Sequence, residues 1–93
     1  MNGQFIRDAG DIMDKNLKLL CDKQDYYGPA NISEFGLMGV VIRTNDKMER
    51  LKHLVKNGLH PNNESVEDSL RDIGNYSVIG QMLLNGTWPK GDA

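Results

Sequence analysis

Four acidic side chains sit at helical spacing in two separate stretches of this 93-residue sequence. Asp68 and Asp72 are four apart, so on a helix they share one face, and Asn75 continues the stripe. Like charges at that spacing cost a helix a few tenths of a kcal/mol unless something neutralises them. Asp46 and Glu49, three apart, are surface neighbours in the same way. Brought together, the four carboxylates would suit a hard cation such as Mg²⁺, which takes oxygen ligands and keeps waters for a phosphate substrate. Kept apart, they are solvated charges, some of them paired with Lys47, Arg50 or Arg71.

Positive charge clusters around the first acidic pair and after it, at Arg43, Lys47, Arg50, Lys52 and Lys56. Lys47 falls at the edge of an apolar face beside Val40 and Leu54, so its ammonium should emerge at a packed margin. Arg50, one turn on, could clamp a phosphate with two parallel hydrogen bonds. The alternative is a basic helix lying against an acidic one for electrostatic fit. Upstream, Lys23, Asp25, Tyr26, Tyr27 and Gly28 put a cation, an acid and two rings into one short loop. Such a loop can stack a base and bond its edge, or the rings can simply plug a core. Trp88 reads as a packing residue. His53 and His60 lack partners at metal-ligand spacing, so zinc is not expected. No Walker loop, dinucleotide fingerprint or nucleophile–base signature is present.

Three helices should position these groups. Ile6, Ala9, Met13, Leu17 and Leu20 recur in steps of three and four and define a first helix near 3–23. Gly28-Pro29 forces a turn. A second helix is expected over 33–57, capped by Asn31 or Ser33 and closed by a left-handed Gly58. Its stripe is Leu37, Val41, Met48, Leu51 and Val55. The segment Gly36–Ile42 is apolar almost all round, which asks for more than one covering neighbour. A third helix near 63–84 starts at a capping Asn63 and buries Val66, Leu70, Ile73, Ile79 and Leu83. Residues 1–86 thus make one domain, and 87–93 read as a loose tail. The architecture is an all-α three-helix unit completed by homo-oligomerisation, as dimer or higher.

In an antiparallel hairpin of helices two and three, residues whose numbers sum to about 121 lie level, each residue rising about 1.5 Å. Glu49 then meets the height of Asp72, Asp46 that of Asn75, and His53 that of Asp68. Rotation is less favourable. Asp46 and Glu49 lie roughly opposite the apolar stripe and face helix three only if that stripe turns toward another chain or toward helix one.

Composition narrows the function. A net charge of −2 argues against a dedicated nucleic-acid binder. Cys21 stands alone in an apolar stretch and is expected to be a reduced, buried thiol. No run of 18 apolar residues and no cationic leader with an apolar block appears, so a cytoplasmic protein is expected.

The succession KQDYYG, DKMERLKHL and NESVEDSLRDIGNYSVIG resembles the phage and bacterial nucleotide-modification-associated domains. Those are similar in turn to all-α nucleoside triphosphate pyrophosphohydrolases of the MazG and dimeric dUTPase type. The resemblance covers roughly residues 15–84 and is most specific at Glu64, Asp68, Asp72, Asn75 and Tyr76. The enzymes carry ExxE on one helix and ExxD on the next. Here the first reads Asp46-Lys-Met-Glu49, whereas Asp72 has Ser69 at the second motif's spacing.

The resemblance implies a nucleotide ligand and leaves two readings open. In one, Asp46, Glu49, Asp68 and Asp72 hold Mg²⁺ for hydrolysis of a nucleoside triphosphate to monophosphate and pyrophosphate. Lys23, Lys47 and Arg50 then neutralise phosphate, while Asp25, Tyr26, Tyr27 and Asn75 hold the nucleoside. In the other, the scaffold sequesters a nucleotide without chemistry. A phage protein of that kind would act in the host cytoplasm against host nucleotide signalling, linear or cyclic.

Overall fold

The computed structural model describes residues 2–58 and 64–89, and among them it contains three helices and no strand. Helix α1 spans Gly3–Tyr27, α2 Ala30–Lys56 and α3 Glu64–Asn85. Asn63, the expected cap of α3, lies outside the described residues, as do the rest of its connection to α2 and the last four positions.

Local chemistry explains the boundaries. The Asn2 side chain accepts from the Phe5 amide at 2.9 Å and caps α1. The helix runs a turn beyond the expected Lys23 because nothing before Gly28-Pro29 breaks it. Gly28, at φ +74°, is the first residue that leaves the helical region, and its amide closes on Gln24 O at 2.8 Å. Helix α2 begins at Ala30, three residues before the expected start, with Pro29 at the N-cap. Neither Asn31 nor Ser33 caps it. Both lie inside the helix, and Ser33 Oγ donates backward to Pro29 O at 3.2 Å.

Within α2, Gly36 departs from helical geometry at φ +61°, ψ −151°, a conformation that essentially only glycine tolerates. The break folds Phe35 over Gly39 so closely that a β-carbon there would lie 2.5 Å from Phe35 Cβ. Gly58 takes φ +64°, the expected terminator. Helix α3 ends in a Schellman motif, with Gly86 at φ +78° and the Thr87 amide reaching Met82 O at 2.9 Å. That turn sends the chain back over the bundle. Trp88 is buried and its Nε1 donates to Pro29 O at 3.3 Å, so residues 87–89 are anchored rather than loose.

The core is small. Ile32, Val40, Ile79 and Trp88 are buried, with Leu20, Tyr76, Met82 and Leu83 packed against them. Gly80 lets α2 approach closely, since a β-carbon there would sit 3.5 Å from Leu37 Cδ1 and 3.8 Å from Val40 Cγ1. Helix α3 packs extensively on α2 and more lightly on α1, while α1 and α2 scarcely touch. Most of the expected core therefore stays open. Ile6, Met13, Leu17, Val41, Val55 and Leu70 are all exposed within the single chain, and Cys21 is exposed where a buried thiol was expected. The helical spacing of these residues is correct, but one chain supplies nothing to cover them.

Candidate functional site

Three helices each send one charged side chain to a common point. Lys23 comes from the last turn and a half of α1, Lys47 from beyond the middle of α2, and Asp72 from the third turn of α3. Asp72 Oδ1 accepts from Lys23 Nζ at 3.0 Å, and Oδ2 lies 3.0 Å from Lys47 Nζ. The carboxylate is largely enclosed, with 12% of its side chain exposed. Burial alone would raise its pKa. Hydrogen bonds from Lys47 and Lys23, reinforced by their charges, outweigh that and hold the carboxyl below its ordinary value.

The rotation of α2 decides which residue meets Asp72. The helix turns Val40, Lys47 and Leu54 toward α3, so Lys47 takes the place that register alone gave to Glu49. Asp46 is exposed, and Glu49 pairs with Lys52 at 3.1 Å on the outer surface. Asp68 is also exposed and lies 3.7 Å from Arg71. The four acids proposed as a metal set are thus dispersed, and only Asp68 and Asp72 approach the same cavity.

The Lys23–Asp72–Lys47 bridge forms a wall common to two cavities. The first, of about 300 Å³, lies toward the α1–α2 turn. Tyr27, Tyr76 and Trp88 give it three rings, and Arg43 adds a third cation, while Gln24 and Asn31 supply amides. Asn75 belongs here too, its Nδ2 spent on Asn16 O at 3.0 Å across the α1–α3 seam. The second cavity, of about 330 Å³, carries Arg50, Asp68, Ser69 and Arg71 beside the shared bridge. Among the described residues Arg71 Nε is buried with no acceptor, although its other nitrogens meet Glu67 and Asp68.

Among the residues expected at a site, the structure gathers Lys23, Lys47, Asp72, Tyr27 and Asn75 around the first cavity and Arg50 and Asp68 around the second. Tyr26 stands edge-on to Tyr27, centroids 4.8 Å apart, but points outward and is 81% exposed; Asp25 is exposed beside it. Arg43 was visible as a charge but not as a site residue. Its spacing of four before Lys47 is the signal that puts both on one face. Trp88 had no local signal, because its partner Pro29 lies 59 positions away.

An Mg²⁺ ion does not fit this arrangement as it stands. A cation approaching either Asp72 oxygen meets an ammonium already 3.0 Å away, and Asp46 and Glu49 lie on the far side of α2. An anion fits better, since the first cavity sets Lys23, Arg43 and Lys47 against one carboxylate. Searches against family models, curated proteins and solved structures find no match to this chain.

Proposed function

We propose that this protein binds a nucleotide-class ligand, holding it without hydrolysis. The observation that carries the reading is the Lys23–Asp72–Lys47 bridge beside a cavity with three aromatic rings. A phosphate attracted by three cations and a flat base attracted by Tyr27, Tyr76 and Trp88 use both halves of that lining. Cavities of this volume suit small ligands, and ring stacking is worth about 1–3 kcal/mol per base in sites built this way. The resemblance to nucleotide-handling domains points to the same ligand class. A tail of further phosphates has a further cation beyond the bridge, in Arg50.

Mg²⁺-dependent hydrolysis to monophosphate and pyrophosphate is the competing reading. Its support is that Asp68 and Asp72 border one cavity with Arg50. The test incubates the protein with mixed nucleoside triphosphates, monophosphates and cyclic nucleotides, with and without Mg²⁺. Trp88 fluorescence, retained ligand and released pyrophosphate are followed. Saturable binding without Mg²⁺ and without pyrophosphate is expected. Turnover would establish the hydrolytic reading, and no saturable ligand in any arm would sink both.

A further inference from the structure

The first cavity is an island of positive charge on an acidic chain. The whole sequence carries a net charge of −2. Lys23, Arg43, Lys47 and Asp72 are the charged residues of the cavity lining, so three cations face one carboxylate and the lining is positive by two charges.

Asp72 does not serve the three cations equally. It holds Lys23 and Lys47, each at 3.0 Å. Among the described residues every ion pair belongs to Lys23, Lys47, Lys52 or Arg71, so Arg43 faces the cavity with none. Arg43 is half-buried, which strips part of its hydration without supplying a counter-charge. Each bridged ammonium also keeps N–H donors beyond the one that Asp72 accepts.

Phosphate monoesters and diesters offer such a lining different things. A nucleoside monophosphate presents three unesterified oxygens and, above its second pKa of about 6, close to two negative charges. A cyclic nucleotide has spent one of those oxygens, and the charge with it, on its second ester bond. We infer that the first cavity selects the dianion of a phosphate monoester, and that Arg43 is the residue that discriminates it from a cyclic diester. The inference rests on the nucleotide reading above and adds the form of the phosphate. A dianion neutralises the lining, whereas a monoanion leaves the Arg43 guanidinium short of a counter-charge. The second charge beside a half-buried cation is worth at least about tenfold in affinity.

The choice has a pH signature. The titratable groups that line the cavity are Lys23 and Tyr27 from α1, Arg43 and Lys47 from α2, and Asp72 and Tyr76 from α3. None is a histidine. Asp72, despite its burial, is held below its ordinary value by Lys47 and Lys23. Between about pH 5 and about pH 8 the proton that moves is therefore the second proton of the ligand.

Calorimetric titration compares the 5′-monophosphates of adenosine, guanosine, cytidine and uridine with their 3′,5′-cyclic esters. At about pH 7.5 the linear ester of the preferred base should bind at least about tenfold more tightly than its cyclic form. At about pH 5.5 that ratio should shrink about three- to fourfold, as protonation removes the second charge, while the cyclic affinity stays level. Arg43→Met should erase most of the preference, and Arg43→Lys, which keeps the charge, should retain it. Lys52→Met, which removes a cation from the outer surface, should change neither affinity. The pH comparison needs no variant, so it decides even where Arg43→Met fails to fold. Equal affinity for the two esters, a tighter cyclic ester, a pH-independent ratio or a preference that survives Arg43→Met intact overturns the inference and leaves the nucleotide reading standing. Saturable binding of neither ester defeats both.

Discussion

Asp72 holds two lysines that would otherwise repel each other across the junction of three helices. Its carboxyl lies below the ordinary value of 3.8 in the folded chain. The bridge therefore contributes its full stability above that pH and loses it as pH falls through the lower folded value. Asp72→Asn should flatten the acid limb of unfolding, followed by circular dichroism as pH falls below the ordinary carboxylate value, and an unchanged acid limb would show that the bridge contributes nothing. The same substitution should leave nucleotide binding intact or tighten it, since it removes the one negative charge facing the ligand. Lys47→Met should weaken binding of a monophosphate by about 10- to 150-fold, the worth of a charge-assisted hydrogen bond of roughly 1.5–3 kcal/mol. Arg50→Ala separates ligand lengths. It should weaken a triphosphate, whose tail reaches the second cavity, and spare the monophosphate. Equal losses for both would move the first phosphate to the Arg50 side. Calorimetric titration of the three variants distinguishes these outcomes.

At the scale of the elements, the helices were legible because helical periodicity is local, and the ends followed from Gly28-Pro29, Gly58 and Gly86. The rotation of α2 was not legible. Its apolar stripe is only partly used: Leu37 meets Gly80 of α3, whereas Val41, Met48 and Val55 lie about 100° round the axis from Val40, Lys47 and Leu54. Sequence spacing fixed the height of the acids but not the side on which a partner helix would arrive. The spacing did set Asp46 and Glu49 roughly opposite the stripe and Lys47 beside Val40 and Leu54; what it left out was that Lys47 would meet Asp72. Trp88 packs in the core as expected, but its partner Pro29, 59 positions away, had no local signal. The break inside α2 was also unforeseen, since glycine in a helical pattern is commonly tolerated. Gly36→Ala tests it directly. At φ +61°, ψ −151° a side chain should cost about 1–3 kcal/mol, read as a lower midpoint in denaturant. A neutral result would mean that α2 runs straight in solution.

For the molecule as a whole, the sparse interior and the surplus of apolar surface have one cause: three long helices that meet chiefly along α3. Helix α1 rests on α3 through Asn75–Asn16 and Lys23–Asp72 and scarcely touches α2. A segment secured along one flank opens at lower cost than one held on two, and its opening is local rather than global. When α1 lifts, Lys23 and Tyr27 leave the first cavity with it, while Lys47 and Asp72 remain paired on the α2–α3 hairpin. On the proposed reading, ligand entry and release would then be gated by helix α1. Amide hydrogen exchange should run faster along α1 than in the middle of α3, and a bound nucleotide should slow α1 selectively by tying Lys23 to the phosphate. Equal protection of all three helices would mean that the cavity fills without this motion. If α1 does gate the cavity, the residence time of the ligand is set by how tightly the Asn75 amide holds the Asn16 carbonyl across the seam.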